Sequence, residues 1–142
     1  MKTKTTRFTV SLCLLALLVG SHGNSWASNT NSNLSFSIDP LHVGSWTMAI
    51  LTGAGPQETV AFVYSRNGTG SFDAGSGLIL DLAPPILKAA YAQTNYAGTA
   101  MSIIPIGPNI DEIGQQLWGQ AVVKDAHGDY WTSAVITETI QP

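Results

Sequence analysis

Between Leu34 and Ile140 short apolar runs are separated by clusters of Gly, Pro, Asn, Asp and Ser, and within most runs the apolar residues fall on every second position. A period of two is the repeat of a β-strand with unlike faces, and frequent turn chemistry is what lets such strands fold back on one another. Leu34, Phe36 and Ile38 alternate with Ser35 and Ser37 and stop at Asp39-Pro40. Trp46, Met48 and Ile50 face one way in the next run, with Ser45, Thr47 and Ala49 opposite, and Gly53 to Pro56 ends it. Thr59 to Ser65 is apolar on both faces, which suits a central strand covered on two sides. The glycine-rich stretch from Arg66 to Gly77 reads as a loop. Leu78 to Leu82 is a further strand, closed by Pro84-Pro85. Ala89, Ala90 and Ala92 give Ile86–Thr94 helix propensity, but its neighbours on both sides are strands and strand is the reading adopted. Thr99 to Ile104, Leu117 to Lys124 and Tyr130 to Ile140 complete the set, the last two joined by the hairpin-turn residues Asp125 to Asp129. Pro105 to Gly114 is a loop. Seven or eight strands at this spacing predict an all-β, immunoglobulin-like antiparallel sandwich over residues 34–141.

The first 27 residues obey a different rule. Lys2, Lys4 and Arg7 precede the uncharged run Phe8 to Val19, which is shorter than the roughly 20 apolar residues a membrane span needs. Ser25-Trp26-Ala27 then supplies small residues at the positions a signal peptidase reads, which predicts cleavage between Ala27 and Ser28. Cys13 follows Leu12 inside the apolar run, which is not the setting of a lipid-modified cysteine. Residues 28–33, rich in Ser and Asn, are expected to form a disordered lead. A periplasmic or extracellular domain of about 115 residues is long enough to bury a core of its own.

Processing at Ala27 also decides what the domain has to work with. Cys13 is the sole cysteine, so a disulfide within the processed chain is ruled out and packing alone must hold the fold. The basic residues left are Arg66, Lys88 and Lys124, against all nine acidic residues. That balance argues against nucleic acid or an anionic membrane as a partner, because both select clustered positive charge.

The segment Ala61-Phe62-Val63-Tyr64-Ser65-Arg66-Asn67-Gly68-Thr69-Gly70 opens a series of short motifs. Leu80-Asp81-Leu82-Ala83-Pro84-Pro85-Ile86, Gly98 to Pro105 and Trp118-Gly119-Gln120-Ala121 follow in order. In that order the series resembles an uncharacterised β-sandwich domain common in exported proteins of planctomycetes and related bacteria. The resemblance spans about residues 34–140 and implies a sandwich fold and export; it implies no catalytic residues. Asn95 stands where that family often has Asp, and Ser133-Ala134 where it has Ser-Asn.

Residue chemistry favours no reaction. The chain lacks a Gly-x-Ser-x-Gly elbow, and His42 and His127, the histidines beyond the signal segment, both lie in turns. Asp125, His127 and Asp129 alternate within one turn and are the candidates for a cation, although tight turns recruit the same residues for backbone reasons. Asp73 and Asp81 beside the glycine-rich stretch fall under the same argument. No cofactor motif is present, and Gly68-Thr69-Gly70 lacks the lysine and helix of a phosphate loop. Aromatic residues carry the remaining signal. Trp118, Tyr91 and Trp131 are the candidates for a sugar-stacking surface, with Trp118 and Trp131 placed to pair across consecutive strands. Against that, a disulfide-free sandwich is expected to use at least two of Trp46, Trp118 and Trp131 as core. The expectation is therefore a non-catalytic exported module with a structural or protein-interaction role at the cell envelope or outside the cell, or alternatively a small carbohydrate-binding module using exposed aromatics, with no nucleic-acid or membrane partner.

Overall fold

The computed structural model describes residues 29–142; the signal segment and the Ala27–Ser28 junction lie outside the described residues. Alternating apolar runs become strands β1 (Ser35–Ile38), β2 (Trp46–Thr52), β3 (Thr59–Ser65), β5 (Leu78–Leu82), β6 (Ile86–Gln93), β7 (Ala100–Pro105) and β8 (Gln116–Lys124). Three more strands bring the described residues to ten: β4 (Thr69–Gly75), β9 (Tyr130–Thr132) and β10 (Ile136–Thr139). A single 3-10 turn, Ile110–Glu112, interrupts the loop before β8. No helix among the described residues is long and apolar enough to cross a membrane.

The strands form an antiparallel sandwich with an added layer. One sheet has the order β1-β2-β7 and faces a second of order β10-β8-β3-β6. Between them lies the main core of Leu34, Ala49, Leu51, Val60, Phe62, Ala100, Ala121 and Val123. Phe36 and Phe62 stack at its centre with ring centroids 5.5 Å apart. Small residues at Ala49, Ala100 and Ala121 leave the volume these rings occupy. The β4–β5 hairpin covers the other face of the second sheet, where Leu78, Leu80, Val122 and Tyr130 form a smaller cluster. Strand β3 and the second half of β8 are thus covered on both sides, which is the physical reason β3 lacks a polar face.

Three expectations need correction. The stretch Arg66 to Gly77 is not a loop: Phe72 and Ala74 pack on the smaller cluster, and two register irregularities absorb the glycines. Tyr130 to Ile140 is not one strand. Val122 pairs with Thr132 but Gly119 pairs with Ile136, so the partner strand carries one extra residue, and Ser133 marks the break. There the Ala121 N–H donates to Ser133 Oγ at 3.0 Å, and Gln120 Nε2 donates to the Ser133 carbonyl at 2.9 Å. Residues 29–31 are ordered against β9: the Asn31 N–H donates to the Thr132 carbonyl and the Thr132 N–H to the Asn29 carbonyl, both at 2.9 Å.

The two ends of the main core differ. Both the β2–β3 and the β6–β7 connections pass from one sheet to the other at the end holding Leu51 and Val123, and they are bonded together. Thr94 Oγ1 donates to the Gly55 carbonyl and accepts from the Glu58 N–H, both at 2.7 Å. Gly98, at φ +74°, lies so close that a Cβ would be 1.9 Å from the Ala54 carbonyl oxygen. At the opposite end the sheets are bridged by the longer β7–β8 loop and by the C-terminal residues, and the interior opens.

Candidate functional site

The open end forms a cleft of about 230 Å³ between the sheets. Its apolar lining includes the buried Leu41, Phe62 and Ile140 and the half-buried Ile38, Ile104, Leu117 and Ile136. Arg66, Lys88, Glu112 and Glu138 also line it. Arg66 reaches Glu112 at 3.0 Å and also donates to Gln115 Oε1 at 3.2 Å. Lys88 instead lies over the Tyr91 ring, 4.3 Å from its centroid. Opposite Phe62 and Val63 the β3–β6 register skips Ala89, a bulge that turns both Ala89 and Ala90 toward the main core.

On the far side of Arg66 a shallow groove of about 450 Å³ holds Trp118 with Gln115, Gln116 and Thr139. Trp118 is half-buried and its cross-strand neighbours are Ser65 and Thr137, whereas Trp131 pairs with Val123. The two tryptophans therefore do not pair, because β9 and β10 meet different halves of β8. Nor does Trp118 share an open polar face with Gln120. Hairpin β4–β5 covers that position and Gln120 is wholly buried, its Oε1 accepting from the Asp81 N–H at 3.1 Å and its Nε2 donating to Asp81 Oδ2 at 3.1 Å.

The third feature is the outward face of β2 and β7. Cross-strand register sets Trp46 opposite Pro105, Met48 opposite Ile103 and Ile50 opposite Met101. Trp46 is 68% exposed, Met101 60% and Ile103 62%. The inward face of β2 carries Thr47, Ala49 and Leu51, all buried. This overturns the expectation that at least two tryptophans fill the core: Trp46 and Trp131 are exposed and Trp118 is only half-buried. The Phe36 and Phe62 rings pack between the sheets in their place. The missed signal was Met101-x-Ile103-x-Pro105, a second apolar alternation that needed the β2–β7 register to join Trp46.

The remaining candidates serve turns. Asp125 Oδ1 accepts from the His127 N–H at 2.8 Å and the Asp129 N–H at 2.9 Å, while its Oδ2 accepts from the Trp131 indole at 3.0 Å. Partial burial opposes ionisation of Asp125, but these hydrogen bonds, with the nearby His127, outweigh it and hold its carboxyl below the usual range. Both oxygens are thereby committed to the β8–β9 turn, and among the described residues no group of three His, Cys, Asp or Glu side chains converges to hold a metal. Asp73 accepts from the Gly75 N–H at 2.8 Å. His42 Nδ1 donates to the Pro142 carbonyl at 2.9 Å, and His127 projects from its turn exposed. Tyr91 is exposed on β6, remote in sequence and strand order from the Trp118 groove.

No family model and no curated protein sequence matches the chain. Among solved structures it is similar to the crystal structure of the PmoD soluble domain from Methylocystis sp. ATCC 49242 (Rockwell), at 11% identity over 75% of this chain and 90% of that one, with a TM-score of 0.45.

Proposed function

We propose that the chain is an exported, non-catalytic domain that docks a partner protein through the outward face of β2 and β7. One observation carries the reading: six apolar side chains, paired across two strands, line the outward face with no charged residue among them, all exposed except the half-buried Ile50. They amount to a patch on the order of 400–500 Å², the size of the largest apolar patch on a typical monomer, which is often functional. Trp46 and the methionines suit such a surface, since a large aromatic anchors and methionine adapts. Export rests on the N-terminal signal, and the resemblance to exported planctomycete domains agrees with it.

The test is a photo-crosslinking residue placed at Met48 in the full chain, expressed in its own host. Recovery of one discrete protein adduct from the exported fraction, lost on Ile103→Glu while thermal stability is unchanged, is the expected result. Formation of the same adduct by Ile103→Glu would remove the reading. Mass spectrometry of the exported form checks the predicted Ser28 N-terminus.

The Trp118 groove favours a second reading, a polysaccharide site. An indole face flanked by Gln115, Gln116, Thr139 and Arg66 offers stacking together with hydrogen-bond donors and acceptors. Quenching of tryptophan fluorescence by a soluble glucan or peptidoglycan fragment, abolished by Trp118→Ala, is what this reading requires.

A further inference from the structure

Protein interiors are packed so closely that voids wider than a water molecule are few. The cleft at the open end of the sandwich, about 230 Å³, is a clear departure. It is larger than the roughly 150 Å³ apolar cavity known to admit benzene and smaller than the roughly 300 Å³ at which drug-sized sites begin. Its walls are Ile38, Phe62, Ile104, Leu117 and Ile136. No buried side-chain nitrogen or oxygen among the described residues lacks a hydrogen-bond partner, so no orphaned side-chain atom calls for water inside. The cleft opens to solvent, so an apolar guest gains by displacing water from these apolar walls.

Two positions keep the space open. Ala89 sits at the β6 bulge with a methyl group where any larger side chain would enter the cleft. Gly119 leaves room for the Phe36 ring, which lies 3.2 Å from where a Cβ would stand. The charged residues of the lining are two cations and two carboxylates, and Arg66 is already paired with Glu112. A balanced set of charges selects no ion.

We propose that this cleft is a binding site for a small, uncharged, apolar molecule of about ten non-hydrogen atoms, such as an alkylbenzene or a medium-chain alcohol. The site lies on the inward side of the sheet that carries the docking face, and it stands or falls independently of that reading.

The test is titration of the full chain with p-xylene and 1-octanol, followed by calorimetry and by the methyl resonances of Ile104, Leu117 and Ile136. Octanoate and octylammonium serve as charged controls. Saturable binding of both neutral probes is expected, with shifts confined to those methyls and affinity at least about tenfold above that of either ion. Ala89→Phe should abolish binding and raise the unfolding temperature by filling the space; Ala89→Leu, a smaller intrusion, should weaken binding at least about tenfold and covers the case in which the phenylalanine variant fails to fold. Absence of saturable binding up to the solubility of the neutral probes overturns the proposal. So does unchanged binding in a folded Ala89 variant, or tighter binding of either ion. The β2–β7 face is untouched by these variants, so crosslinking at Met48 continues whichever way the titration goes.

Discussion

The two ends of one sandwich use similar residues to opposite effect. At the end holding Leu51 and Val60 both crossovers between sheets are short, they are bonded to each other through Thr94, and the side chains between them are excluded from solvent. At the end holding Leu117 and Ile104 the β7–β8 crossover is long, and side chains of the same type are left half-buried around an empty space. Hydrophobic composition does not distinguish the ends; the length and bonding of the connections do. Tight crossovers hold two sheets at packing distance, and a long one lets them part.

The largest test of that contrast is Gly98→Ala. The added methyl meets the Ala54 carbonyl at a backbone angle that side chains disfavour, so the bonded crossovers must separate, at an expected cost of about 4 kcal/mol in urea unfolding. A loss under about 1 kcal/mol would mean that the closed end is not held by this approach. A matched pair of leucine truncations comes next. Leu51→Ala should cost about 3 kcal/mol and Leu117→Ala about 1, because the cavity term needs a site that is already closed. Equal losses would break the comparison. Thr94→Val keeps the shape and deletes the hydroxyl that serves Gly55 and Glu58; about 2 kcal/mol should be lost, and Thr94→Ser should recover much of it.

The smallest effect concerns the β8–β9 turn at the closed end. Asp125 is held below its unfolded pKa, so its contribution is fully present above about pH 4 and fades as pH falls through the lower folded value. Asp125→Asn should therefore cost about 1 kcal/mol or less near neutrality and flatten the acid limb of the stability curve below about pH 4. A variant that keeps the same acid limb would show that another carboxyl governs it.

Much of the fold was legible from residue alternation. Strands β1, β2, β5 and β7 lie where period-two runs fall, β3 and β8 where apolar runs are bounded by turn residues, and β6 forms despite its alanines because β3 offers it a pairing edge. Strand β4 was hidden since Gly70 and Gly75 weaken strand propensity, while a Cβ at Gly70 would stand 3.2 Å from the Ala83 Cα, which shows why glycine is used there. The sites were less legible. Alternation identified Trp46, Met48 and Ile50 as one face but not which way that face points; Ala49 and Leu51 point inward because β1 and β7 supply Phe36, Ile38 and Ala100 beside them. The cleft left no local trace beyond Ala89-Ala90, since a void is a property of two sheets and not of any one strand.

Gln120 gives the β4–β5 hairpin a fate separate from the sandwich. One amide joins Asp81 of the hairpin to the Ser133 carbonyl beside the break between β9 and β10, and Thr30 Oγ1 reaches the same Asp81 carboxylate at 3.2 Å. The hairpin buries Leu78, Leu80 and Leu82, but its cluster with Val122 and Tyr130 is separate from the main core, so detaching it leaves the β1–β2–β7 packing intact. Local opening is therefore expected to begin with β4 and β5 lifting away as a unit. Amide protons of Phe72 and Leu80 then exchange with solvent ahead of those of Val60 and Ala121, and the underside of β8 becomes the first stretch of interior that another chain can reach.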